Sequence, residues 1–142
     1  MAKAIYESMK NKLGSILVID DDADLLGALD KVLDRGGFEV VAQSNGKDVM
    51  DWLSHNDKWF DAVITDLQMP GVDGMQLMTA IKTRFPGVPV IMITGMGDAD
   101  HYAAAIRAGA SAFLPKPFRA TDVVDILRRV MAKQSRQLVA AN

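Results

Sequence analysis

The sequence predicts a single α/β domain: a doubly wound parallel sheet of five strands with helices on both faces. Three observations carry this expectation. Short apolar runs rich in β-branched residues alternate with stretches of helical spacing, several of the runs stop abruptly at a polar residue, and Gly and Pro turn signals separate them. Alternation of this kind implies βαβ units, which close into a parallel sheet covered by helices. A length of 142 residues, 49% of them hydrophobic, suits one domain with a buried core.

Residues 1–13 are polar and lysine-bearing and read as an N-terminal extension, mobile or loosely helical. The domain is expected over residues 14–134, with a tail over 135–142. Ser15-Ile16-Leu17-Val18-Ile19 is a continuous apolar run, the pattern of a strand buried on both faces, and it ends in Asp20-Asp21-Asp22. Leu25, Leu26, Ala28, Leu29, Val32 and Leu33 then recur at helical spacing, and Gly36-Gly37 supplies a left-handed stop. Phe38 to Ala42 is the second strand, and Asn45 can cap a helix that buries Val49, Met50 and Leu53 and is covered in part by Trp52.

The run from Phe60 delivers Asp66 to the end of the third strand, where Pro70-Gly71 and Asp73-Gly74 turn the chain. A helix from about Gly74 to Phe85 places Leu77, Met78, Ile81 and Phe85 on one side, and Pro86-Gly87 ends it. Pro89 to Thr94 is the fourth strand, Asp98 to Ala108 a helix stopped by Gly109, and Ala112 to Leu114 a brief fifth strand. The last helix starts near Thr121 and buries Val123, Val124, Leu127 and Val130. There is no internal repeat. Periodicity does not reveal strand order; the flavodoxin-like order 2-1-3-4-5 is expected because it sets the first and third strands side by side at the switch point, bringing Asp20, Asp21 and Asp66 together.

Composition excludes several classes of function. Sixteen basic against eighteen acidic residues leave a net charge of -2, which offers no broad footprint for nucleic acid or an anionic membrane. With no cysteine, disulfides, thiolate metal sites and cysteine nucleophiles are ruled out. The start lacks the apolar core of a secretory signal and no run is long enough to span a bilayer, so a soluble cytoplasmic protein is expected.

In an α/β fold, ligands bind at the C-terminal edge of the sheet, so Asp66 is a candidate for chemistry; the alternative is that it only caps a turn. Three carboxylates converging at that edge repel one another, and a divalent cation is the ordinary way to offset this. Mg²⁺ fits better than Ca²⁺, since it takes few hard oxygen ligands and keeps waters for a phosphate group. Asp20, Asp21 and Asp22 could instead cap the first helix, although a cap accounts for one Asp and not three. Two further strand ends bring the hydroxyl of Thr94 and the ammonium of Lys116, which is followed by Pro117. Acid, hydroxyl and cation at one edge suit phosphoryl transfer, with the carboxylate as nucleophile and the others facing the charge on the equatorial oxygens.

These residues resemble the receiver domain of bacterial two-component response regulators, chemotaxis-regulator-like, over about Gly14 to Lys133. The matching stretches are Ile-Leu-Val-Ile-Asp-Asp-Asp, Asp66-Leu-Gln-Met-Pro-Gly-Val-Asp-Gly, Ile-Thr94-Gly and Ala108-Gly-Ala-Ser-Ala-Phe-Leu-Pro-Lys116-Pro-Phe. The resemblance implies that Asp66 accepts a phosphoryl group from a sensor histidine kinase or phosphotransfer protein. It implies that Asp20, Asp21 and Asp66 hold Mg²⁺ with the backbone carbonyl of Gln68, and that Thr94 and Lys116 contact the phosphoryl oxygens. Phe113 would hold the aromatic position that turns inward with Thr94, and the bond before Pro117 would be cis. Phe113 stands where the family often has tyrosine, which removes any role for a phenolic hydroxyl; the alternative is that Phe113 is plain core. Gln68 and Met96 occupy positions that vary in the family and tune phosphoryl lifetime.

The output expected from the resemblance is a phosphorylation-dependent homodimer or effector contact on the surface of the fourth helix, fifth strand and fifth helix. Tyr102, Ile106 and Phe118 offer apolar contact there, and Arg107, Arg119 and Arg128 offer charge. Rival readings fit less well. A hydrolase of the haloacid dehalogenase type would want a second Asp at the position of Gln68, and Gly95-Met96-Gly97 is only half of a dinucleotide fingerprint. Asn45-Gly46-Lys47 lacks the upstream glycine of a P-loop, and His55 and His101 are isolated. A receiver-fold interaction module that works without phosphorylation is the remaining alternative. After Lys133 only nine residues remain, so the chain reads either as a single-domain regulator or as the receiver of a longer protein.

Overall fold

A computed structural model of the chain describes residue 2, residues 13–95 and residues 99–141. Most of the expected N-terminal extension, together with Met96, Gly97 and Asp98, lies outside the described residues. The elements run β1 (Gly14–Ile19), α1 (Ala23–Arg35), β2 (Phe38–Gln43), α2 (Gly46–His55), β3 (Ala62–Asp66), α3 (Gly74–Arg84), β4 (Val90–Thr94), α4 (Ala99–Arg107), β5 (Ala112–Pro115) and α5 (Ala120–Ala141). All strand pairs are parallel, and the sheet order is β2-β1-β3-β4-β5, as the switch-point argument required.

Two cores lie on the two faces of the sheet, because alternate strand residues point opposite ways. On one face Ile16, Val18, Ile64, Ile91 and Leu114 meet Leu29 and Leu33 of α1 and Leu127 of α5. On the other, Leu17, Ile19, Val63 and Val90 meet Leu53 of α2 and Leu77 and Ile81 of α3. The central strand β3 is buried along its whole length, whereas β2, at the sheet edge, is only partly covered. That edge position explains its mixed sequence, Phe38-Glu39-Val40-Val41.

Local chemistry sets the element ends. Asp22 caps α1 by accepting the N–H groups of Asp24 and Leu25 at 3.0 and 3.1 Å, and Asp73 caps α3 through Met75 and Gln76. The left-handed residue after α1 is Gly37 (φ 92°), while Gly36 stays right-handed. At Gly74 a side chain has no room, since a Cβ there would lie 2.4 Å from the Leu67 carbonyl oxygen. The last helix differs from expectation: it continues through Ala141, across the segment read as a tail. Residues 134–141 are rich in Gln, Arg, Leu and Ala, which favour helix, and the sequence reading stopped at their polar start.

Candidate functional site

Strand register assembles the site. Ile19 pairs with Thr65, so the next residues, Asp20 and Asp66, come level at the C-terminal edges of two adjacent central strands. Thr94 ends β4 beside Pro115 of β5, and Lys116 follows directly. The Lys116 N–H donates to the Thr94 carbonyl at 2.8 Å, which ties the last two strand ends together, and the Lys116–Pro117 peptide is cis.

The carboxylates are not equivalent. Asp20 is fully buried; its Oδ1 accepts the Asp22 N–H at 2.9 Å, while its Oδ2 has no hydrogen-bond partner among the described residues. Asp66 is 8% exposed and its Oδ1 accepts the Gln68 N–H at 2.8 Å. Asp21 is exposed. Ligand oxygens from all three lie within 4.8 Å of one another. The Lys116 ammonium stands 3.9 Å from Asp20 Oδ2 and 3.7 Å from Asp66 Oδ2, too far for a hydrogen bond to either but close enough to offset part of their charge. Of the three consecutive aspartates only Asp22 caps the helix, so capping leaves Asp20 and Asp21 unexplained.

Burial holds the Asp20 carboxyl above the ordinary carboxylate value of 3.8; the Asp22 N–H and Lys116 oppose the rise, and the charges of Asp66 and Asp21 add to it. A buried carboxylate oxygen with no donor, in a cluster bearing more negative than positive charge, is what a hard divalent cation would satisfy. The donor set is all oxygen, which suits Mg²⁺ and not a soft metal.

The other residues expected at the site lie on β4 and β5. Thr94 is partly buried at the end of β4, and the loop carrying Gln68 approaches Gly95. Phe113 lies on β5, paired in register with Met92, and its ring stacks on that of Tyr102 at a centroid distance of 3.8 Å. Sequence reasoning gave Tyr102 only as an exposed apolar residue. Nothing in the spacing of an α4 residue and a β5 residue announces that their rings meet. Asp73 was legible only as part of a turn, although Asp directly before a helix is itself a cap signal.

The family model for the response regulator receiver domain matches residues 16–128. The chain is 39% identical over 114 residues to the response regulator protein FleR of Pseudomonas aeruginosa, covering 80% of this chain and 24% of that protein. It is 38% identical over 127 residues to the C4-dicarboxylate transport transcriptional regulatory protein DctD of the same species, covering 89% of this chain and 27% of that protein. Among solved structures, a response regulator receiver domain protein from Clostridium thermocellum superposes with a TM-score of 0.78 at 33% identity, covering 88% of this chain and 99% of that one.

Fold, site and these likenesses define a phosphoacceptor domain of two-component signalling. The chain belongs to the response regulator receiver domain family. Its Asp20, Asp21 and Asp66 cluster is arranged for phosphorylation. The chain spans about a quarter of the length of the curated relatives it matches. Among the described residues, no helix is long and apolar enough to cross a membrane.

Proposed function

We propose that Asp66 is the phosphoacceptor, taking a phosphoryl group from a phosphohistidine on a sensor kinase or phosphotransfer protein. An Asp66 carboxylate oxygen attacks phosphorus, the bond from phosphorus to the imidazole nitrogen breaks, and the nitrogen leaves with the electron pair. The observation that supports this most is the Lys116 ammonium, poised between Asp20 and Asp66 at 3.9 and 3.7 Å. Asp66 ends the central strand and has one oxygen steadied by the Gln68 N–H, whereas the Asp20 oxygen facing Lys116 is enclosed. Asp20, Asp21, Asp66 and the Gln68 backbone carbonyl would hold Mg²⁺. When bound, Mg²⁺ supplies positive charge against the carboxylates and the incoming phosphoryl oxygens.

Lys116 is placed to pair with the transferred group, and the Thr94 hydroxyl to donate to one of its oxygens. Drawing Thr94 inward would change the surface of α4, β5 and α5, on which Tyr102 and Ile106 are exposed, and that surface would meet an effector or a second copy of the chain. Incubation with acetyl phosphate and Mg²⁺ should add one phosphoryl mass to the intact protein. The adduct should be absent with excess EDTA and in Asp66→Ala; its persistence in that variant would overturn the assignment.

A further inference from the structure

Among the described residues, Lys82 is the partly buried lysine that has no hydrogen bond or ion pair. Lys58 faces Glu39, Lys116 faces Asp20 and Asp66, and Lys31 and Lys133 stand exposed. Lys82 sits in the last turn of α3, and its stem runs across to the turn that follows α4. A Cβ placed on Gly109 would lie 3.1 Å from Lys82 Cε and 3.5 Å from Nζ, so the room left by Gly109 is what the stem fills. That turn is fixed. Gly109 is left-handed (φ 99°), and the Gly109, Ala110 and Ser111 N–H groups donate to the carbonyls of Ile106, Ala105 and Val90 at 2.8 to 3.0 Å. Ala108 and Ala110, on either side of Gly109, pack on the core that includes Met78 and Ile81, so the amine is bordered by apolar groups. Burial holds the ammonium below the ordinary lysine value of 10.5, and no carboxylate acts against this.

We propose that Lys82 is an acylation site for small acyl phosphates, reacting ahead of Lys31 and Lys133 because its amine is held in one place, partly withdrawn from water and unopposed by a carboxylate. An amine so placed spends more of its time as the neutral nucleophile. Its Nζ attacks the acyl carbon, the bond from that carbon to the phosphate oxygen breaks, and inorganic phosphate leaves with the electron pair. The proton on nitrogen passes to water. An acyl phosphate carries two electrophilic atoms, phosphorus for a carboxylate and the carbonyl carbon for an amine, so one donor can mark this domain at two separate places. The reaction at Lys82 does not depend on Asp66 being the phosphoacceptor. Its product is a neutral amide, which removes a charge from a position where the charge is poorly solvated.

The test is a timed incubation of the whole chain with acetyl phosphate in EDTA, run once on folded protein and once in concentrated urea. Remaining amines are then capped with deuterated acetic anhydride, so that mass spectrometry of the peptides reads each lysine's acetylated fraction as a light-to-heavy ratio. In folded protein Lys82 should gain acetyl groups about threefold faster or more than Lys31 and Lys133. In urea that preference should disappear, because the seat against Gly109 is gone. Asp66→Ala should keep the preference, and Lys82→Arg should remove the fastest site while leaving the rates at Lys31 and Lys133 unchanged. Folded protein that acetylates Lys82 no faster than Lys31 and Lys133 would overturn the proposal. A preference that survives in urea would overturn it too, since local sequence and not the fold would then be its cause.

Discussion

Replacing Asp20 by asparagine should make the metal-free protein more stable at neutral pH, although it removes a residue of the site. The substitution keeps the shape and the Oδ1 that accepts the Asp22 N–H, and it replaces the partnerless Oδ2 by an uncharged amide nitrogen. Three charge interactions are lost, with Asp66, Lys116 and Asp21, and the last is the smallest and is left out of the sum. Repulsion between carboxylate oxygens within 4.8 Å is about 3.5 kcal/mol at an effective dielectric constant of about 20. Attraction to Lys116 at 3.9 Å would be about 4 kcal/mol on the same scale, but that ammonium is 39% exposed and shared with Asp66, which cuts its worth to about half. The net is a gain of about 1.5 kcal/mol, or a rise in Tm of about 5 °C for a chain of this size.

The pH dependence follows from the direction of the Asp20 shift. Its folded-state carboxyl titrates above the ordinary 3.8, so wild-type stability from this group is fully present below that value and is lost as pH rises through the folded-state value. Asp20→Asn escapes that loss. Thermal unfolding in EDTA should therefore show a full gap between variant and wild type at pH 7.5, narrowing as pH falls toward 4. Adding Mg²⁺ should stabilise wild type and leave the variant nearly unchanged, which closes the gap from the other side. A variant less stable than wild type at pH 7.5 in EDTA, or a gap that ignores pH, would refute this reasoning.

Other consequences are open to measurement. Gly74→Ala should destabilise the fold by about 1–3 kcal/mol and slow phosphorylation, because the new Cβ would press on the Leu67 backbone, one residue from Asp66; denaturant melts and acetyl phosphate kinetics check both. Asp22→Ala should cost about 1 kcal/mol by uncapping α1 while Mg²⁺ affinity, read by calorimetry, stays near wild type. Lys116→Met should raise Mg²⁺ affinity about three- to tenfold, the worth of one half-exposed charge of about 1 kcal/mol, and should slow phosphorylation.

Much of the fold was legible because the strands that form its centre are uniform in chemistry. Val63 and Ile64 are wholly buried, so their run is apolar without alternation, and the acid that ends it stands out against that background. Asp20 and Asp66 were legible as a pair once a strand order was assumed, since the topology and the register together make them neighbours. What escaped sequence reasoning depends on distances between elements far apart in the chain. The absence of room at Gly74 is a fact about the Leu67 carbonyl, and the stack of Tyr102 on Phe113 is set by how α4 lies over β5. The extension of α5 to Ala141 was missed for a different reason: polar residues of good helix propensity carry no hydrophobic period to announce them.

The most direct measurement of the central claim is reductive trapping of the phosphorylated protein. Borohydride cleaves an aspartyl phosphate and reduces the acyl carbon, leaving homoserine at the residue that carried the phosphoryl group. After treatment with acetyl phosphate and Mg²⁺, peptide sequencing by mass spectrometry should find homoserine at position 66, with aspartate intact at positions 20, 21 and 22. Homoserine at position 20 or 21, with Asp66 unmodified, would contradict the assignment of nucleophile and metal-holding residues made from this site.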